Sequence, residues 1–249
     1  MILGLHTFSF VFLAFCLQQS PSPSFSDTIH IESPQTIQGV LTGSVTLPAT
    51  SNTRRSFRGA AYRGRGRSGS KKASGDAAMP ELLNVVISAH PTSFSIDAEP
   101  LDPVQIKQRD AEFIPKVTPV TVGTIVQFVN NDPFYHNVFS ITPGAKFNIG
   151  RRPTGDVVDK KIPELKWKVT GLGPISLFCD IHNEMNAVIL SLETPYFVKP
   201  GEDGTYRFDS LPDGTYDIRV YHPRFEVASQ SITISSGSTI QQNFTLQSR

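Results

Sequence analysis

The chain has 249 residues, 39% of them apolar and 18% charged, which suits one large or two modest domains with their own cores. Its formal net charge of +1 excludes a polyelectrolyte, and nothing global points to nucleic acid. Frequent Phe, Pro and Gly favour short strands and tight turns over long helices.

In chain order, Met1 to Leu17 is an apolar run without charge, followed by Ser- and Pro-rich sequence. A run this short suits the apolar part of a secretory signal and is marginal for a spanning helix. Residues 1–26 are therefore read as a signal peptide, and the protein as exported, periplasmic or secreted, with no span after signal removal. Of the two cysteines, Cys16 leaves with the signal and Cys179 remains alone. A single Cys in an oxidising compartment is buried, paired between chains or held by a metal.

Residues 27–38 read as an exposed lead-in, and Gly39 to Leu47 as a strand with a glycine turn. Arg54 to Lys72 is rich in Gly, Ser and basic residues and has no acid, so a mobile loop over 50–78 is expected between two strands. It is either a solvated loop or an arm for electrostatic docking of an acidic redox partner or anionic surface. Strand character returns at Leu83 to Ala89, then at Ile125 to Val129. A turn cluster at Asn130 to Pro133 precedes extended sequence from His136 to Ile141. Lys166 to Val169 and Ile175 to Cys179 alternate, the latter placing Ile175, Leu177 and Cys179 on one face; Ala187 to Leu192 is mostly apolar. These segments assign residues 39–193 to one β domain. Asp203-Gly204 and Asp213-Gly214 then each introduce an alternating strand, and residues 194–249 read as a smaller antiparallel β-sandwich.

The chemistry lies in Cys179-Asp180-Ile181-His182-Asn183-Glu184-Met185. A thiolate and a thioether hold Cu(I), and imidazole suits both copper states; a His₂Cys plane with a weak axial Met is the blue-copper arrangement. The loop supplies three of these ligands, and His136 is the natural source of the second imidazole. Zinc would favour further Cys or His over Met185. His30, His90 and His222 are assigned to surface or turn positions. No His-x-His pair, Gly-x-Ser-x-Gly elbow or His-Glu-x-x-His motif is present, so no enzyme is expected.

Asn130-Asn131-Asp132-Pro133-Phe134-Tyr135-His136-Asn137-Val138 resembles the first-histidine segment of plastocyanins and amicyanins, and the Cys179 loop has the short amicyanin spacing. That resemblance implies a Greek-key cupredoxin β-sandwich holding one type 1 copper ion. Cys179, His136 and His182 would form the ligand plane, Met185 would be the distant axial ligand, and Asn137 would support the site through hydrogen bonds near the Cys loop. Amicyanin-type loops usually carry Pro where Asn183 stands, and Tyr135 replaces a Pro common before the first His. The segment GTYRFDSLPDGTYDIRVYHP resembles carboxypeptidase regulatory-like, transthyretin-like sandwiches. The combination resembles bacterial methylamine-utilisation or plastocyanin-like proteins. It implies transfer of single electrons between a donor and an acceptor protein; the alternatives are a copper-containing interaction module and a copper-handling protein.

Overall fold

The computed structural model describes residues 38–48, 81–165 and 172–249. The expected signal peptide, most of the lead-in, the basic loop and the strand at Lys166 to Val169 lie outside the described residues. Within them the protein is all β apart from one 3-10 turn at Glu81–Asn84. No helix there is long and apolar enough to cross a membrane. The strands are β1 (Gly39–Thr46), β2 (Val86–Pro91), β3 (Val104–Arg109), β4 (Glu112–Ile114), β5 (Val117–Thr121), β6 (Ile125–Asn130), β7 (Phe139–Ser140), β8 (Phe147–Asn148) and β9 (Val157–Lys161). They continue with β10 (Gly173–Phe178), β11 (Asn186–Leu192), β12 (Phe197–Val198), β13 (Thr205–Leu211), β14 (Gly214–Tyr221), β15 (Ala228–Ile234), β16 (Thr239–Gln241) and β17 (Phe244–Thr245).

Among the described residues four sheets make two sandwiches. In the site sandwich, sheet β5-β11-β10-β7-β8 faces sheet β4-β3-β6-β9 across a core that includes Ile106, Phe113, Phe128, Ile175, Leu177 and Ile189. The pairs β3–β6 and β5–β11 are parallel, so their strands cannot be joined by hairpins and the chain crosses between sheets. In the companion sandwich, sheet β12-β2-β14-β15 faces β13-β1-β16, with β17 also on β1, around Leu41, Ile87, Tyr206, Tyr216 and Ile218.

This pairing corrects the expected boundaries. β1 and β2 fall within residues 39–193, yet β1 pairs with β13, β16 and β17, and β2 pairs with β12 and β14. The site sandwich is therefore inserted between two parts of the companion. The companion is also larger than residues 194–249 and not wholly antiparallel, because β1 runs parallel to β16 and β17. Sequence proximity places β1 and β2 with the nearer domain, while their hydrogen-bond partners lie far along the chain.

The insertion explains two apolar runs that break strict alternation. In β11, Ala187 and Ile189 face the site core while Leu190 and Leu192 enter a second cluster with Val86 of β2, Val117, Leu172 and Tyr221. In β2, Ile87 and Ala89 face the companion core and Val86 turns into that shared cluster. Strands covered on both faces lose the polar alternate positions of a half-exposed strand. Lys199 adds a polar tie between the sandwiches, its Nζ donating to the carbonyls of Leu83 (3.1 Å) and Val117 (2.6 Å).

Candidate metal centre

β6 and β10 carry the two halves of the site. β6 ends in Asn130, whose fully buried side chain organises the turn after it. Its Nδ2 donates to the carbonyls of Phe134 (2.8 Å) and Arg152 (3.0 Å), and its Oδ1 accepts from the Asp132 amide (2.9 Å). His136 then pairs with Arg152 as an antiparallel bridge, each amide donating to the other's carbonyl at 3.1 and 2.6 Å. Extended sequence was expected over His136 to Ile141; only Phe139–Ser140 forms a strand, and His136 is held by the bridge instead.

β10 alternates inward with Gly173, Ile175 and Leu177, and Cys179 continues the inward set just past the strand end. The loop from Asp180 turns back within a few residues, closed by the Met185 amide donating to the His182 carbonyl at 3.0 Å. β11 follows, antiparallel to β10, with Phe178 opposite Asn186. Asn137 Oδ1 accepts from the Asp180 amide at 2.7 Å and so ties the two halves together. Met185 is buried in the same core cluster as Cys179.

The structure brings His136, Cys179 and His182 together. Cys179 Sγ is 3.9 Å from Nδ1 of each histidine, and the two Nδ1 atoms are 3.2 Å apart. The centre of that triangle lies about 2.1 Å from each corner, within the roughly 2.0–2.3 Å that zinc keeps to imidazole and thiolate, so an ion of similar size fits. Cys179 and His136 are buried and His182 is half-buried.

His136 is held from behind by Asp132, which the sequence pattern marks only as a turn residue. Asp132 Oδ2 lies 2.6 Å from His136 Nε2, and the carboxylate also accepts the amides of Asp110 (2.6 Å) and Ala111 (3.0 Å). Burial works to raise the Asp132 carboxyl, but the Ala111 amide, the His136 ring and the Asp110 amide outweigh it and hold the group below its usual range. An ionised carboxylate only accepts, so the proton of this contact sits on His136 Nε2, and in the neutral ring Nδ1 is the nitrogen whose lone pair faces the triangle. Two imidazole nitrogens at 3.2 Å then need a proton or a cation between them.

Residues 186–247 match the carboxypeptidase regulatory-like domain. The match begins with β11, which pairs inside the site sandwich, and leaves out β1 and β2, which complete the companion. The chain is similar to solved cupredoxins. One is a purple cupredoxin from Nitrosopumilus maritimus, at 23% identity over 35% of this chain and 98% of that one, with a TM-score of 0.30. A copper-containing nitrite reductase from Thermus scotoductus is 26% identical over 41% of this chain and 26% of its own, with a TM-score of 0.33. An amicyanin variant is 14% identical over 35% of this chain and 80% of its own, with a TM-score of 0.31. No curated protein matches the chain.

One side of the half-buried His182 is bordered by exposed apolar side chains. Phe134, Tyr135 and Ile181 are 41%, 58% and 38% exposed and line one shallow recess with His182 and Arg151. The Phe134 ring lies 5.0 Å from that of His136 and 5.3 Å from that of His182. Of the histidines set aside from the site, His30 lies outside the described residues and His90 is half-buried, 2.9 Å from Ser88 Oγ. His222 departs from its expected surface placement: it is fully buried at the end of β14, against the Phe225 ring at 4.7 Å. The Pro that follows it marked a strand end correctly, but that end is covered by the chain around Glu81 and Phe225.

Proposed function

We propose that this is an exported protein that carries single electrons between a donor and an acceptor protein, using one copper ion held by His136, Cys179, His182 and Met185. The observation that carries the reading is the triangle of two Nδ1 atoms and one Sγ, a donor set of thiolate and imidazole sized for one ion. Copper bound there supplies a one-electron couple between Cu(I) and Cu(II).

The protein's part is to hold the donors still. Asp132 keeps the proton on His136 Nε2 and the lone pair on Nδ1. Asn137 fixes the first residue of the Cys179 loop, and the Met185 amide closes that loop onto His182. Cys179, His136 and Met185 are buried in a packed core, which resists displacement of the donors between redox states. Met185, a weak thioether donor buried in the same core cluster as Cys179, is the fourth ligand in this reading.

Electrons enter and leave through His182, the one member of the triangle that is not fully buried. The apolar rim of Phe134, Tyr135 and Ile181 allows close, dry docking of a partner, and Arg54 to Lys72 steers an acidic one. On this reading the protein is a carrier rather than an enzyme, and its partners are proteins rather than nucleic acid. Voltammetry of the copper-loaded protein tests this: a reversible one-electron wave with fast exchange is expected. A redox-silent site would favour an interaction module, and release of the ion on reduction would favour copper handling.

A further inference from the structure

Two consecutive residues that are not glycine, Asp110 and Ala111, each have a backbone φ of 55°. They form the tip of the β3–β4 hairpin, whose last pair is Arg109 opposite Glu112. Positive φ at both central residues belongs to the two-residue type I′ turn, which favours Asn-Gly or Asp-Gly and disfavours a residue such as Ala at the second place. The conformation therefore exists against local preference and has to be held by something else.

What holds it is a pair of hydrogen bonds to one carboxylate. The Asp110 amide donates to Asp132 Oδ1 and the Ala111 amide to Asp132 Oδ2. Oδ2 is also the oxygen that meets His136 Nε2. Asp132 is anchored at its backbone as well, its amide donating to Asn130 Oδ1 and its carbonyl accepting from Thr154 Oγ1 at 2.6 Å. The Asp110 side chain points to solvent, where it pairs with the exposed Arg109, while the Ala111 methyl packs against the site core; the grip on Asp132 comes from the two backbone amides.

We infer that the Asp110–Ala111 turn is a positioning device for the metal centre, its two amides aiming the Asp132 carboxylate and, through it, fixing the ring plane and tautomer of His136. A carboxylate gripped by two backbone donors has one orientation that satisfies both, and that orientation leaves Oδ2 in line with the imidazole. Backbone amides serve because they cannot rotate away once the turn is formed. The inference rests on the copper reading for its purpose, but the His136 tautomer does not depend on the metal.

The test uses the full-length protein. In the metal-free form, ¹⁵N-resolved NMR follows exchange of the His136 Nε2–H; in the copper-loaded form, the reduction potential is measured. The double variant Asp110→Asn with Ala111→Gly keeps both amides and the turn type, and is expected to match the wild type in both readouts. A glycine inserted between Asp110 and Ala111 moves the amides. It is expected to speed Nε2–H exchange at least tenfold and to displace the potential in the same direction as Asp132→Ala. Ala111→Pro, which deletes one donor and cannot adopt a positive φ, is read the same way should the insertion fail to fold. The inference is overturned if a cooperatively folded turn variant keeps wild-type exchange and potential while Asp132→Ala alters both. A wild-type protein that protects Nε2–H but takes up no copper would sink the copper reading and leave the role of the turn standing.

Discussion

Cys179 is the residue with no substitute at this site. It is the one cysteine among the described residues, it is buried, and its sulfur lies 3.9 Å from both imidazole nitrogens. Cys179→Ser is expected to remove any intense visible absorption, whereas Met185→Leu should keep copper and raise the potential, because losing a weak donor disfavours the more highly charged Cu(II). Titration with copper, followed by voltammetry, distinguishes the two. Asp132→Ala leaves His136 Nε2 and two amides without their acceptor, and copper affinity is expected to fall by about 10- to 100-fold, as for other partners of ligating histidines. A fourth residue-scale prediction concerns His222, whose pKa burial pushes below the ordinary 6.5. Its Nε2 is 3.2 Å from Glu81 Oε1 but makes no hydrogen bond. Between its folded pKa and 6.5 the unfolded chain binds a proton that the folded chain refuses. Stability from this group is thus complete above that window and falls as the pH drops through it. The urea midpoint should lose less on acidification through that window in His222→Asn than in the wild type; equal losses would remove His222 from the account.

The elements show how much the sequence could say. β6, β10, β11, β13 and β14 are legible because each has apolar residues on alternate positions or in a buried run, and the turn signals beside them are correct. β3 and β9 are not: in β3 only Ile106 and Gln108 are buried, and one of these is polar, while β9 is an edge strand with Val157 exposed. Three of the candidate ligands are legible because one loop carries them, and the fourth because its flanking motif is distinctive. Asp132 was hidden since its role depends on the β3–β4 turn, which approaches only in three dimensions. Gly43 is an element-scale case of the same kind. It reads as a turn glycine, but it sits inside β1, where an added Cβ would lie 1.7 Å from the Gln242 carbonyl oxygen. Gly43→Ala is expected to destabilise the protein by about 3 kcal/mol, since backbone must shift to admit the methyl; denaturation with urea measures it, and a neutral result would mean that β1 and the Gln242 segment are not packed as described.

At the scale of the molecule, the insertion of one sandwich into the other makes the two interdependent. A fragment of residues 194–249 lacks β1, the neighbour of β13, and β2, the neighbour of β14. It is expected to show no cooperative thermal transition by circular dichroism, although most of the regulatory-like match lies within it. A cooperative transition would restore the simpler two-domain division. Leu190, buried in the cluster that both sandwiches share, offers a point mutation with the same logic. Leu190→Ala should cost about 2–5 kcal/mol and lower the stability of both sandwiches together.

On the proposed function, His136, Cys179 and His182 hold one copper ion, with a bond from the metal to the Cys179 sulfur. An absorption spectrum with metal analysis on the copper-loaded protein tests it most directly. The expected result is one copper per chain with an intense visible band that Cys179→Ser abolishes. Copper bound without such a band, or a band that survives the serine substitution, would contradict the assignment.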